Sequence, residues 1–450
     1  MKLVYDVKDK PKFGQLIVFA FQQLLAILAA TIAVPSIVGN GMSQSAALFG
    51  AGVGTIVYLL FTKFKSPVFL GSSFAFLSSM FAAFAGAVSV EAGYAGIILG
   101  AIFAGLVYVV IAIVVKIAGV AWINKLMPAV VIGPTVAIIG LSLAGNAIKD
   151  AVGCSAGFVE NVGGTYVMTA GGWVSLLCAL VTFFTVIICS VFGKKMGKLI
   201  PFIIGILAGY VVATIFTLIG MKTGNDALKI VNFSLFNNMQ WIPDFTFIKA
   251  AKGLSAIDGK YIATIAVAYV PVAFVVFAEH IADHKNLSSI IDKDLLEEPG
   301  LHRTLLGDGV GSMAGALFGG CPNTTYGESV GCVAITGNAS VVTILVTAIM
   351  CLVISFFGPF VTFLATIPSC VMGGVCITLY GFIAVSGLKM IQNVDLGENR
   401  NLFVVAAILI AGIGGMALGI GKVTLTSIAC ALILGIVTNL ILSKNDKKEA

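Results

Sequence analysis

Residues 319–336 read GGCPNTTYGESVGCVAIT, and residues 67–80 read PVFLGSSFAFLSSM. Each lies between long apolar runs, yet each is rich in Gly, Ser, Thr and Pro and opens with an extended stretch before a short half-helix. Irregular backbone at membrane depth survives only where protein or a watery cavity satisfies its polar groups. Interrupted segments at matching places in two halves of a chain point to a transporter's binding site. These two match. Ser72-Ser73-Phe74-Ala75 and Thr324-Thr325-Tyr326-Gly327 share the order hydroxyl, hydroxyl, aromatic, small, at an offset of 252. Pro128, Val131 and Gly133 recur as Pro368, Val371 and Gly373, at an offset of 240.

The rest of the chain is built for a bilayer. Of its 450 residues 59% are hydrophobic and only 10% charged, against roughly a quarter charged in a soluble domain; the mean hydropathy is +1.08. That excludes a disordered protein, a fibrous repeat and almost any soluble enzyme of this length. The 52 glycines suit closely packed membrane helices. The nine cysteines contain no CxxC pair and mostly sit inside apolar runs (Cys178, Cys189, Cys351, Cys430), as small buried hydrophobes rather than a disulfide framework. Residues 1–13 are polar and basic, and the apolar run after them is too long for a signal peptide's core, so the first span is expected to be retained.

A span needs about 20 apolar residues. The sequence predicts spans near 14–36, 45–62, 67–86, 92–115, 126–147, 172–192, 199–220, 261–283, 304–320, 321–336, 339–364, 369–388, 402–420 and 423–443. With the N-terminus inside, this count places 19 of the 26 Lys and Arg residues on the inner side and 7 on the outer, as the positive-inside rule asks. The net charge of +6 follows from that distribution and needs no nucleic acid. An even count puts both termini in the cytoplasm. The matched segments imply a duplicated chain of about seven spans per copy, and an odd number per copy forces the copies into opposite orientations. The expected fold is an all-α polytopic membrane protein of about 14 segments in two inverted repeats.

Ionisable groups inside apolar spans are costly, so each is a functional suspect. Here they are Glu279, His280 and Asp283 at the end of the eighth span, Asp308 early in the ninth and Glu328 in the interrupted tenth. Glu279 and Asp283 are four apart and share a helix face. Two carboxyls in a dry place cannot both ionise cheaply, so the pair is a candidate to share a proton. The competing reading puts Asp283 at the interface, paired with a Lys. His280 and His284 are also four apart, but no Cys or third His is placed to complete a zinc site and HExxH is absent; they read as helix-end histidines, one facing the cytoplasmic surface. His302 reads as structural. If half-helices begin near Phe74 and Glu328, their free N–H groups face a cavity. Glu279 and Glu328 add acceptors, and the rings of Phe74 or Tyr326 would cover a flat ligand. A planar heterocycle with ring N–H donors and carbonyl acceptors fits that set.

At these residues the chain resembles the nucleobase–cation symporter family (nucleobase–ascorbate transporters), which includes uracil and xanthine permeases. The matching stretches are LGSSFAF at 70–76, AEH at 278–280, DLLEEPGLHR at 294–303 and PNTTYGESVGCVAIT at 322–336. Segment order matches from end to end. The resemblance implies a core domain at 14–116 and 261–364, a gate domain at 117–220 and 365–443, an extracellular loop at 221–260 and cytoplasmic tails at 1–13 and 444–450. It implies short strands in the third and tenth spans, a homodimer and residence in the cytoplasmic membrane. It implies that Glu279, Glu328 and the backbone N–H groups of Phe74 and Gly327 bind the base, that Ala30 lines the site, with Ser73 and Tyr326 beside them, and that no cofactor is needed beyond the proton as coupling ion. Glu328, Gly331 and Thr336 match the family signature of the purine branch, while Ser329 stands where that branch has Asn. Glu at the first signature position resembles the uracil branch, so the expected activity is proton-coupled uptake of uracil, with a xanthine or other purine permease as the alternative. The uracil branch carries a His four residues after the Glu of AEH; here that position is Asp283, and His284 follows on another face. Anion transporters of this architecture would not place Glu at both ligand positions. A channel gives no reason for alternating repeats, and an enzyme would need a nucleophile–base set or a metal.

Overall fold

The computed structural model describes residues 3–119, 122, 128–194, 196–392, 394–420 and 423–443. The first half runs α1 (Phe13–Val38), α2 (Gln44–Phe61), β1 (Leu70–Ser72), α3 (Leu77–Ala85), α4 (Val90–Ala118), α5 (Ala129–Ala151), β2 (Val159–Val162), β3 (Thr165–Met168), α6 (Ala170–Phe192) and α7 (Pro201–Thr223). The second half runs α8 (Thr246–Gly253), α9 (Gly259–Ile291), α10 (Leu301–Gly319), β4 (Asn323–Thr325), α11 (Gly327–Thr336), α12 (Val341–Ile354), α13 (Gly358–Thr366), α14 (Ser369–Met390), α15 (Asn399–Ile413), β5 (Leu418–Ile420), β6 (Val423–Leu425) and α16 (Ser427–Leu442).

Unbroken apolar runs become long helices. Among the described residues α1, α2, α4, α5, α6, α7, α9 and α14 are each long and apolar enough to cross a bilayer. Their starts are set locally: Ser43, Ser89 and Asp258 accept from the backbone N–H three residues on, capping α2, α4 and α9. The expected spans at 67–86 and 321–336 are a strand followed by a short helix, β1–α3 and β4–α11.

Three expectations need correction. The span at 339–364 is two helices, α12 and α13, bent by 85°. Pro359 opens α13 and cannot continue α12, because it lacks an N–H and clashes with the preceding turn. The spans at 402–420 and 423–443 are shorter: α15 ends at Ile413, where Gly415 takes a φ of +69°. A small antiparallel pair, β5–β6, joins it to α16. At 1.5 Å per residue, the 15 residues of α15 span about 23 Å, less than the hydrocarbon thickness. The eighth span does not end at 283: α9 runs on to Ile291, so Asp283 and His284 are mid-helix residues. The tail at 444–450, and Lys2, Lys125, Lys195 and Lys422, lie outside the described residues.

The inverted repeat is visible in strand register. β1 and β4 pair antiparallel, Leu70 opposite Thr325, Gly71 opposite Thr324 and Ser72 opposite Asn323. Moving residues 71 and 72 by the sequence offset of 252 gives 323 and 324, so the pair 71–324 exchanges with the pair 323–72. A pseudo-twofold axis passes through the middle of the ladder. The other match behaves likewise, since Pro128 and Pro368 precede α5 and α14 as their N-cap residues.

Glycine sets how closely the repeats approach. A Cβ on Gly50 of α2 would lie 2.4 Å from the Gly315 carbonyl of α10, and one on Gly140 of α5 would lie 2.3 Å from the Tyr380 carbonyl of α14. Helices α1, α2, α4, α9, α10 and α12 pack on one another, and α5, α6, α7, α14, α15 and α16 form a second packed set. Basic loops meet at one end of the first set: Lys65 Nζ lies 2.5 Å from Glu298 Oε1, and Lys293 Nζ lies 2.5 Å from Asp6 Oδ2.

Candidate functional site

Between the two helix sets lies a cavity of about 370 Å³. One wall is the strand ladder with Ser73–Ala75 between β1 and α3, the start of α11 and one face of α9. The opposite wall is α5, α7 and α14.

The ladder is braced from behind. Leu70 N donates to Thr55 Oγ1 (2.9 Å), which donates to the Leu70 carbonyl (3.1 Å), and Asn323 Nδ2 donates to the Gly50 carbonyl (3.0 Å). Position 71 must be Gly, because a Cβ there would lie 2.3 Å from the Tyr326 ring. Tyr326 Oη donates to the Ser72 carbonyl (2.8 Å), and its N–H to the Phe69 carbonyl (3.2 Å). Tyr326 thus buttresses the ladder with a ring only 4% exposed, while the residue also lines the cavity. Ser329, in place of the signature Asn, is buried and accepts from Gln23 Nε2 of α1 and from Phe69 N. It ties α11 to α1 and to the strand approach.

Gly327 is the first residue of α11 and is exposed at the cavity. A first-turn N–H has no intrahelical acceptor, and among the described residues neither Gly327 N nor Phe74 N has a recorded acceptor. Both residues line the cavity, as does Ser73, whose buried Oγ is unpartnered. Phe74 is half-buried, its ring edge-on to Tyr380 at 6.0 Å. Ala30 is buried in α1 and does not line the cavity.

Glu279, Asp283 and Glu328 all line this one space. Asp283 accepts from Thr325 Oγ1 at 2.7 Å, so it faces the ladder and not a lysine at the interface. Among the described residues no Lys or Arg lines the cavity. Three carboxyls without a cation favour a ligand rich in N–H donors or a bound proton, and disfavour an anion.

The histidines correct the sequence reading. His280 and His284 are both fully buried, on the α9 face that turns away from the carboxylates. His280 Nδ1 lies 2.7 Å from Asp308 Oδ2 and its Nε2 lies 2.9 Å from Thr304 Oγ1, both on α10. His284 Nε2 lies 2.7 Å from Tyr58 Oη on α2, and its Nδ1–H donates to the His280 carbonyl at 2.8 Å. The rings stack at 4.1 Å. Asp308 is therefore the partner of His280. The signal was in the sequence: an i, i+4 His pair about 100° around the helix from the Glu279–Asp283 pair, and one Asp in the next apolar span.

Sequence reasoning missed the opposite wall. Leu379, Phe382, Ile383, Ser386 and Met390 of α14 face the cavity with Phe202 of α7. Their spacing of three, four and seven is that of one helix face, but in a span apolar all round nothing distinguishes a cavity face from a lipid face.

The sequence profile described as the Permease family matches residues 14–420. A uracil permease of Bacillus caldolyticus is 39% identical over 446 residues, covering 98% of this chain and 95% of the relative. Uracil permeases of Bacillus subtilis and Escherichia coli are 37% and 32% identical, covering 100% and 97% of this chain and 97% and 93% of theirs. Among solved structures, the transmembrane domain of the cyanobacterial bicarbonate transporter BicA covers 97% of this chain and all of that one, at a TM-score of 0.59 and 16% identity. The murine anion transporter Slc26a9 in its inward-facing state gives 0.67 and 11%, covering 98% of this chain and 69% of that one. At such identities the likeness is one of fold. With the interrupted ladder, the paired repeats and the full-length match together, the chain belongs to the permease family of nucleobase–cation symporters, integral membrane transporters and not enzymes.

Proposed function

We propose that this protein takes up uracil across the cytoplasmic membrane together with protons. The observation that carries the reading is the cavity in which, among the described residues, Glu279, Asp283 and Glu328 meet no Lys or Arg and share the space with two backbone N–H groups that have no acceptor, those of Phe74 and Gly327. Glu279 and Glu328 accept the ring N–H groups, and the backbone donors hold the carbonyl oxygens. A protonated carboxyl can also donate, so a proton shared by Glu279 and Asp283 completes the hydrogen-bond set of a neutral base. The names of the full-length relatives support uracil as the base.

In this reading the set containing α1–α4 and α9–α12 is the core, and α5–α7 with α14–α16 is the gate. Access alternates by rigid movement of one against the other around the base. The residues at the interface support such sliding, because the gate wall is apolar apart from Ser386. The positive-inside count supports a cytoplasmic location for both termini.

The test is radiolabelled uracil uptake into proteoliposomes with and without an imposed pH gradient, with unlabelled xanthine as competitor. Uptake above equilibrium only with the gradient, untouched by xanthine, is the expected result. Xanthine uptake without uracil uptake would transfer the reading to the purine branch, and gradient-independent uptake would remove the proton.

A further inference from the structure

A second pocket, of about 230 Å³, opens between the ends of α2, α4 and α10, well away from the transport cavity. Its floor and sides are Phe61 of α2, Ile113 of α4 and Leu306 of α10; its rim carries Lys116 in the last turn of α4, and His302 and Arg303 in the first turn of α10. Among the described residues neither Lys116 nor Arg303 forms an ion pair. The one bond recorded for the Arg303 guanidinium is a long one, 3.5 Å, to the Phe61 carbonyl. Both cations share this pocket with the His302 imidazole. The start of α10 adds positive potential of its own, so Arg303 stands where a cation is least favoured unless an anion joins it.

We propose that this pocket binds one anionic phospholipid, its phosphate held by Lys116 and Arg303 and one acyl chain lying along Ile113 and Leu306. Charge complementarity and position identify the ligand. Two cations without a carboxylate partner ask for a phosphate. The pocket opens onto the outer face of α4, where Val110 is 59% exposed, Ile113 51% and Ile117 81%. In a bilayer that face meets acyl chains. Basic pockets between helices at this level take acidic headgroups. A free inorganic anion would satisfy the cations but leave the apolar side of the pocket unused. Since α2, α4 and α10 belong to the set that carries the β1–β4 ladder, the lipid rides with the substrate-binding elements.

The test uses the full-length protein, delipidated in neutral detergent. Phosphatidylglycerol is added back, and bound lipids are counted by native mass spectrometry while melting is followed by tryptophan fluorescence. Phosphatidylcholine, inorganic phosphate and glycerol phosphate are added in parallel arms. Wild type should retain one more phosphatidylglycerol than the Lys116→Gln/Arg303→Gln variant and should melt several degrees higher with that lipid alone. Lys116→Arg/Arg303→Lys should keep both effects, and Lys222→Gln/Lys252→Gln, in the last turns of α7 and α8, should leave them intact. Equal retention and an equal shift in the Gln variant would overturn the proposal, as would an equal shift from inorganic phosphate, which would make the pocket a simple anion site. Should the double Gln variant fail to fold, Lys116→Gln alone, at an exposed position, must lose at least half of the shift.

Discussion

Thr325 Oγ1 donates to Asp283 Oδ2 across 2.7 Å. That bond joins helix α9, which carries Glu279 and Asp283, to the crossing strand β4, which leads into α11 and Glu328. Asp283 is thereby turned toward the ladder, one helical turn from Glu279 and beside Gly327, whose Cβ position is 3.8 Å from Asp283 Oδ1.

Asp283→Asn keeps an oxygen for Thr325 and removes the acid. If Glu279 and Asp283 share the coupling proton, uracil affinity at neutral pH should fall about tenfold, equivalent to about 1.4 kcal/mol, and uracil-induced proton movement should diminish. Asp283→His should preserve coupling better than Asn. Calorimetry in detergent and a pH-dye assay in liposomes measure the two quantities. Unchanged proton stoichiometry in the Asn variant would leave Glu279 to carry the proton alone.

Glu279→Gln and Glu328→Gln should each weaken uracil binding roughly 10- to 100-fold while the melting temperature holds. A hydrogen bond to a charged group is worth about 1.5–3 kcal/mol, and a glutamine turns an acceptor into a donor on one side. Near-native affinity in both variants would remove the carboxyls from the site.

The His280–Asp308 pair should be a stability element. Asp308→Ala leaves the Nδ1–H of a fully buried imidazole without an acceptor and should cost about 1–3 kcal/mol, as stranding a buried donor does. Asp308→Asn keeps an acceptor for Nδ1–H and should cost clearly less. Thermal melts of the two variants compare them directly, and equal losses would contradict a role for the retained acceptor.

The N-terminal segment should loosen in acid. It runs beside the turn after α11: Val4 N donates to the Gly337 carbonyl, Ala339 N to the Tyr5 carbonyl and Val341 N to the Val7 carbonyl. Lys293 donates to Asp6 and holds its carboxyl below the ordinary aspartate range, helped by the Val7 N–H and opposed by partial burial. A depressed folded value means that the stabilisation is complete above the unfolded value near ~3.9 and is lost as pH falls through the folded one. For so exposed a pair the contribution is at most about 1 kcal/mol. Exchange of the Ala339 and Val341 amides, corrected for intrinsic rate, should be constant from pH 7 to 5 and accelerate below about 4. Asp6→Asn should show the faster rate at pH 7. Equal protection in that variant would assign the strap to its backbone bonds alone.

The sequence alone determined the membrane class, the matched halves and the acidic residues. Those rest on local chemistry: apolar runs long enough to span, a hydroxyl–hydroxyl–aromatic–small order repeated at 72 and 324, and carboxyls too costly to sit in lipid without purpose. It also led to the break in the tenth span, because Pro322, within the turn-like Cys321-Pro322-Asn323, cannot continue a helix from Gly319. Only the tertiary structure decided which way those groups point. His284 is buried against Tyr58, a residue 226 positions away. Tyr326 lies on Gly71 because the ladder puts them together. The α14 face that closes the cavity is as apolar as the faces that meet lipid. In water a helix shows its buried side by contrast with its polar side, but a bilayer accepts apolar residues everywhere, so the pattern carries no such contrast and only packing assigns the faces.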